Sequence, residues 1–236
     1  MLRRDENSTD HIMGYTLIYS QIYEYIPYLI KGSLLSFTIA ILSFFGGMFF
    51  GLLFATIRTF GPFYLNKIVV MYVNFFTNTP QLVQIYFLFF ALPEFGILLS
   101  PFTAVLLGMT LNAAAYLTEI QRAGFLSIKN EELDAAKTMN FSISQQVRLI
   151  ILPHIIKTIF PALSNHYILM TLGTSMAAIF GVEELMGRAF NINSLTFRSV
   201  EIFSLTALIY ILITILATFC LATIGRYFFK VKMKII

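Results

Sequence analysis

Gly32-Ser-Leu-Leu-Ser-Phe-Thr-Ile-Ala-Ile-Leu-Ser-Phe-Phe-Gly-Gly-Met-Phe-Phe-Gly-Leu-Leu-Phe-Ala-Thr-Ile57 runs without a charge between Lys31 and Arg58. An α-helix needs about 20 apolar residues to cross the hydrocarbon core of a bilayer. Asp, Glu, Lys and Arg are also absent between Lys67 and Glu94, Glu94 and Glu119, Lys157 and Glu183, and Glu201 and Arg226. A soluble bundle has no reason to repeat that spacing. Lipid offers no partner to backbone N–H and C=O groups, so spans are helices or closed barrels. Barrel strands alternate polar and apolar residues, and Ile39-Ala-Ile-Leu-Ser-Phe-Phe45 does not. The sequence therefore predicts an all-α integral membrane protein with five transmembrane helices.

Composition agrees. Hydrophobic residues make up 58% of the chain and charged residues 12%, about half the charged share of a soluble domain. Lys and Arg set the orientation. With the C-terminus cytoplasmic, Arg58, Lys67, Arg122, Lys129, Lys137, Arg148, Lys157, Arg226, Lys230, Lys232 and Lys234 lie inside; Arg3, Arg4, Lys31, Arg188 and Arg198 lie outside. That bias places the N-terminus out and the C-terminus in. The net charge of +4 then serves orientation and implies no nucleic acid. The polar start, Met1-Leu-Arg-Arg-Asp-Glu-Asn, does not fit a cleavable signal peptide. The single Cys220, in the last span, argues against a disulfide or metal site within the chain.

Residues 1–28, rich in Tyr, read as an interfacial segment on the outer leaflet. The membrane domain is 29–230, and 231–236 is a basic tail at the inner leaflet. The spans are expected at about Leu29–Ile57, Asn66–Leu92, Pro101–Ile120, Ile155–Phe180 and Ile202–Ile224. Gly47-Met-Phe-Phe-Gly51 can admit another helix closely. Span two is interrupted by Thr77-Asn-Thr-Pro-Gln81, either a substrate-exposing break or an ordinary proline kink. A second break is expected around Gly173-Thr174. The segment carrying Glu183, Glu184, Arg188 and Arg198 reads as an outer loop.

Between spans three and four the chain turns polar. Asn130 can cap a helix whose first turn, Glu131-Glu132, suits the positive end of the dipole, with Lys137 at the negative end. Asn140 tolerates the left-handed conformation that stops a helix, and Ser142-Ile-Ser-Gln145 fits a capping box opening the next. A short helix at about 130–140 follows. Its small Ala135 and Ala136 suit either close approach by another protein or a solvated connector.

Leu133-Asp-Ala-Ala-Lys-Thr-Met-Asn140, followed by Ile150-Ile-Leu-Pro153, resembles the EAA motif of ABC-importer permeases. Asn78-Thr-Pro-Gln-Leu-Val-Gln84, Ala115-Tyr-Leu-Thr-Glu-Ile-Gln-Arg122, and Thr174-Ser with Gly181-Val-Glu-Glu-Leu185 resemble the polar amino acid uptake branch, the histidine/glutamine-type permeases. Matches run in the family's order from about Lys31 to the C-terminus. The family's usual Glu and Gly in the EAA motif are Asp134 and Asn140 here, which keep an acid near the helix start and tolerance of positive φ at its end. A common Arg before Asn-Thr-Pro is Thr77, and a common Lys-Asp before Thr-Ser is Leu172-Gly173. Those losses point to a less charged substrate, or to a second subunit that carries the charges.

The resemblance implies a type I importer permease of the bacterial inner membrane, paired with a second permease subunit in a homo- or heterodimer. An extracytoplasmic binding protein delivers the amino acid, and separate ABC ATPase subunits hold ATP and Mg. The 130–140 segment is then the coupling helix, with Asp134, Ala135, Ala136 and Asn140 serving ATPase coupling. This chain has no G-x-x-x-x-G-K-[ST] loop, so it is not itself the ATP-hydrolysing enzyme, and it carries no cofactor. The expected substrate path is Asn78, Thr79, Gln81, Glu119, Thr174 and Ser175, with Gln84, Asn112 and Tyr116 behind. Glu119, read as the only acid within reach of the membrane interior, suits an α-amino group or a structural pair with Arg122. Thr174 and Ser175 suit an α-carboxylate or helix–helix hydrogen bonds. His154 and His166 read as packed or interfacial. An ion-coupled secondary transporter of a small polar solute is the alternative, though no inverted repeat is visible; an intramembrane enzyme lacks a recognisable nucleophile and base.

Overall fold

The computed structural model describes residues 16–229, all of whose regular elements are helical. Residues 1–15 of the N-terminal segment and the basic 231–236 tail lie outside the described residues. Helix α1 (Ile26–Phe60) carries Pro27 in its first turn, where the missing N–H has no intrahelical acceptor to lose, and ends at Gly61-Pro62. Helix α2 (Phe63–Thr77) is followed by α3 (Gln81–Tyr86), which continues through a π-turn (Phe87–Ala91) and a 3-10 turn (Leu92–Phe95). Gly96, at φ 78°, reverses the chain, and the Ser100 hydroxyl accepts the Thr103 N–H to open α4 (Pro101–Leu126). Two short helices, α5 (Asn130–Thr138) and α6 (Ile143–Gln146), lead through a π-turn (Val147–Ile151) into α7 (Leu152–Gly173). A 3-10 stretch (Thr174–Phe180), α8 (Leu185–Thr196) and α9 (Ser199–Phe228) complete the described chain.

Four helical stretches among the described residues are long and apolar enough to cross a membrane: Tyr19–Phe60, Pro101–Leu126, Ile143–Phe180 and Ser199–Phe228. The interruption expected within span two, Asn66–Leu92, is present and divides it into two arms, α2 and the apolar Gln81–Phe95. Proline at position 80 is the reason, since it can neither donate to the helix ladder nor tolerate the carbonyl one turn back. The second expected break is present as a change of helix type at Gly173-Thr174, closed by Gly181 at φ 82°.

The core is α1 laid against α4. A methyl built on Gly47 would sit 2.6 Å from Ala113 Cβ, and one on Gly51 3.0 Å from Leu117 Cβ. The Gly-x-x-x-Gly stripe therefore joins two helices of one chain. Close backbone approach matters here because lipid-exposed helices gain little from hydrophobic burial and associate through packing. Ile39, Phe44, Ile85, Met109 and Met170 close around this seam, and a second cluster, including Leu29, Leu185, Ile192 and Ile202, joins α1 to α8 and α9.

The segment read as an outer loop contains α8, and two acids at this end of the molecule lie in the protein interior. Glu184 and Glu201 are both fully buried. Glu184 caps α8 by accepting the Gly187 N–H at 2.9 Å. Its other oxygen accepts from the Ser36 hydroxyl at 2.8 Å and the Tyr210 hydroxyl at 3.0 Å, so one carboxylate ties α1, α8 and α9 together. Burial pushes the Glu184 carboxyl up from the ordinary carboxylate range, and these donors oppose that shift. Glu201 accepts the Ile18 N–H at 3.0 Å and faces Arg198 at 3.4 Å, which holds the start of the described chain against α9.

Candidate functional site

The break at Pro80 opens a polar place in an apolar fold, and its carbonyls can be accounted for one by one. The Thr77 and Thr79 hydroxyls donate to the Val73 and Phe75 carbonyls at 2.7 and 2.8 Å. The Asn78 amide donates to the Asn74 carbonyl at 2.8 Å. Gln84 Nε2 reaches back to the Phe76 and Thr79 carbonyls at 3.0 and 3.1 Å. Asn112 Nδ2, from α4, donates to the same Phe76 carbonyl and to Gln84 Oε1, each at 3.1 Å. The Tyr116 hydroxyl meets the Thr77 carbonyl at 3.4 Å. Backbone groups cannot stay unpaired in an apolar surround, so these side chains allow the helix to remain broken.

A cavity of about 560 Å³ lies against the break. Thr77, Asn78, Thr79 and Gln81 line it from the break, Asn112 and Tyr116 from α4, and His166, Leu169 and Met170 from α7. Of the residues expected on a substrate path, the structure thus brings together Asn78, Thr79, Gln81, Asn112 and Tyr116. Gln84 is buried just behind them as a brace. Glu119 does not line the cavity: one oxygen is paired with Arg58 of α1 and the other lies 3.9 Å from Arg122. Thr174 and Ser175 are also outside it. Thr174 is fully buried and donates to the Thr171 carbonyl at 2.7 Å; the half-buried Ser175 donates to the Leu172 carbonyl at 2.9 Å.

His166 is the residue that sequence reading set aside. Its ring lies 5.5 Å from that of Tyr116, and its buried Nε2 makes no hydrogen bond among the described residues. Its spacing from Leu169 and Met170, three and four positions on, is the helical signal that places the three on one face of α7.

The loop between α4 and α7 carries a second candidate site. Lys129, not Asn130, is the N-cap of α5; Asn130 is the first helical residue and makes no cap bond. Glu131 and Glu132 occupy the first turn and Lys137 the last. The Asn140 N–H donates to the Lys137 carbonyl at 2.9 Å and the Phe141 N–H to the Ala136 carbonyl at 3.0 Å. With Asn140 at φ 57°, that is a Schellman stop. The Ser142–Gln145 capping box is formed in both directions, at 3.3 and 2.8 Å. Ala135 is exposed, whereas Ala136 is buried within this chain, so only the first alanine is open to another surface. His154, at the base of α7, stands 3.4 Å from Glu132.

The family model described as the binding-protein-dependent transport system inner membrane component matches residues 47–230. The chain belongs to that family. Among curated relatives of this inner membrane component, the glutamine transport system permease protein GlnP of Escherichia coli (strain K12) is 34% identical over 92% of this chain and 98% of its own length. The crystal structure of an amino acid ABC transporter with histidines superposes with a TM-score of 0.83 at 27% identity, covering 90% of this chain and 99% of that one. The inward-facing MetNI methionine ABC transporter, at 17% identity and a TM-score of 0.66, covers 89% of this chain and 98% of its own and shares the fold.

Proposed function

We propose that this inner membrane component is the permease subunit of an ATP-binding-cassette importer for amino acids. The full-length likeness to an amino acid permease supports the reading, and the polar cavity at the broken helix is the observation that carries it. Counting α2 and α3 as one interrupted span gives five, with the N-terminus outside and the C-terminus in the cytoplasm. The five-helix domain is then 29–230, between the interfacial 1–28 segment and the 231–236 tail. Asn78, Thr79, Gln81, Asn112 and Tyr116 would face the amino acid, with Gln84 bracing Asn112. Glu119 then serves as an ion-pair partner at the inner end of α4, and Thr174 and Ser175 as helix hydroxyls.

In this topology α5 is the coupling helix. Exposed Ala135 and Met139 lie one turn apart and offer an ATPase subunit a small apolar face, with Asp134 beside them. The Asn140 stop and the Ser142 cap hold α5 at a fixed angle to α6, so a push on α5 reaches α7. ATP and Mg belong to the two ATPase subunits, and a second permease subunit completes the path. A binding protein on the outer side supplies the substrate.

Co-purification with an ATPase subunit, followed by ATPase and uptake assays, tests this. Replacing the exposed Ala135 with a bulky charged residue should release the ATPase or leave hydrolysis uncoupled from uptake. Intact assembly, hydrolysis and uptake in that variant would sink the coupling role. Uptake driven by an ion gradient without ATP would favour a secondary transporter.

A further inference from the structure

The cavity beside the Pro80 break mixes polar and apolar walls and carries no fixed charge. Thr77, Asn78, Thr79 and Gln81 on one side, and Asn112 and Tyr116 on the other, offer amides and hydroxyls only. Asn112, Tyr116 and Glu119 fall on one stripe of α4, four and three residues apart. A substrate moving along that stripe leaves the neutral cavity and meets the Arg58–Glu119–Arg122 cluster, where two guanidinium groups outweigh one carboxylate. A cationic side chain would thus leave water for a partly enclosed space with no counter-ion, beside a region of net positive charge. Desolvation and Coulomb repulsion act in the same direction.

One buried lining nitrogen is unspent. His166 Nε2 is buried and without a hydrogen-bond partner among the described residues, while the asparagine and glutamine amides behind the break are engaged with carbonyls. A neutral imidazole nitrogen can donate to a side-chain carbonyl or accept from a side-chain amide or hydroxyl, according to tautomer.

Resting on the reading of this cavity as the amino acid path, we propose that it selects amino acids with uncharged polar side chains, and that His166 is a specificity-determining residue which contacts that side chain. The carboxyl and amino groups of the substrate are common to all amino acids, so discrimination must come from the side-chain end. Here that end meets amides, hydroxyls and one imidazole beside the apolar Leu169 and Met170, and no charged group.

The test uses the permease assembled with its ATPase subunits and no binding protein, so that the binding protein's own preference is absent. Equilibrium titration with radiolabelled glutamine, lysine and arginine should show glutamine bound at least tenfold more tightly than either cation. His166→Asp should shift the glutamine-to-lysine ratio at least tenfold toward lysine. Should that variant fail to assemble, Asn78→Asp puts a carboxylate at an exposed position of the same cavity and should move the ratio in the same direction. A glutamine preference below tenfold in the unmodified complex overturns the inference and leaves the permease reading standing. An unmoved ratio in an assembled His166→Asp complex, or in Asn78→Asp where His166→Asp fails to assemble, does the same. Absence of binding for every amino acid would overturn the cavity's role as the path, and this inference with it.

Discussion

Replacing Gly47 with alanine tests whether α1 and α4 form the rigid seam around which the permease is built. The added methyl would lie 2.6 Å from Ala113 Cβ and 3.1 Å from the Ala113 carbonyl carbon and the Ala114 nitrogen. Reaching an ordinary 3.4 Å contact with Ala113 Cβ requires the helices to part by about 0.8 Å, and two of the three obstructing atoms are backbone, which no rotamer change can relieve. Overpacking of this kind costs about 1–3 kcal/mol, while alanine regains up to about 1 kcal/mol of helix propensity over glycine. The clash should win by about 1–2 kcal/mol, or about 2–8 °C in thermal midpoint at 2–4 °C per kcal/mol. Thermal unfolding of the purified complex measures it, with Gly173→Ala as the control. The nearest atoms to a methyl on Gly173 are 3.6 to 4.0 Å away, so that variant should hold or raise the midpoint. Adding Ala113→Gly to Gly47→Ala removes the closest contact and should recover at least about 0.5 kcal/mol relative to additivity. A Gly47→Ala complex as stable as Gly173→Ala would refute the close-packed seam.

Three further substitutions have expected outcomes. Glu184→Ala strands the Ser36 and Tyr210 hydroxyls and the Gly187 N–H in a buried site, and should cost about 3 kcal/mol or more. Glu184→Gln keeps an acceptor and should lose less, so equal drops in melting temperature would contradict the network. Asn140→Ala forces a Cβ-bearing residue without a local polar side chain into φ 57°, costing about 1 kcal/mol or more. Limited proteolysis should then cut the α5–α6 loop faster than in the parent, and Asn140→Gly should not show this. Gln84→Leu removes the donor to the Phe76 and Thr79 carbonyls and the acceptor for Asn112. Losing about 1–3 kcal/mol of bracing should weaken glutamine binding about tenfold or more, and an unchanged titration would contradict the brace.

What could be read from sequence was local. The charge gap from Lys31 to Arg58 marks α1, Pro80 marks the break, and Asn140 with Ser142 marks the α5–α6 turn, because each effect acts within a few residues of its cause. What was missed depends on distant partners. Glu184 reads as a loop acid until Ser36, 148 positions away, and Tyr210 supply donors that allow it inside. Arg188 reads as an outer-loop charge, yet it stacks over the Tyr28 ring at 4.3 Å while α8 folds back on α1. Glu119 invited pairing with its neighbour Arg122, whereas its nearer partner is Arg58, 61 positions back on α1. The cavity itself came half into view. Its wall on the break and α4 is polar and conspicuous, but the α7 wall is a lone histidine among apolar residues, which nothing local distinguishes from a packed one.

ATP-dependent uptake in reconstituted vesicles bears most directly on the central claim. The permease, assembled with its ATPase subunits in proteoliposomes and given binding protein on the outer side, should accumulate radiolabelled glutamine only when ATP and Mg are present on the ATPase side, with hydrolysis stimulated by loaded binding protein. Accumulation that proceeds without ATP under a proton or sodium gradient, or hydrolysis stimulated by loaded binding protein with no amino acid moved, would contradict it.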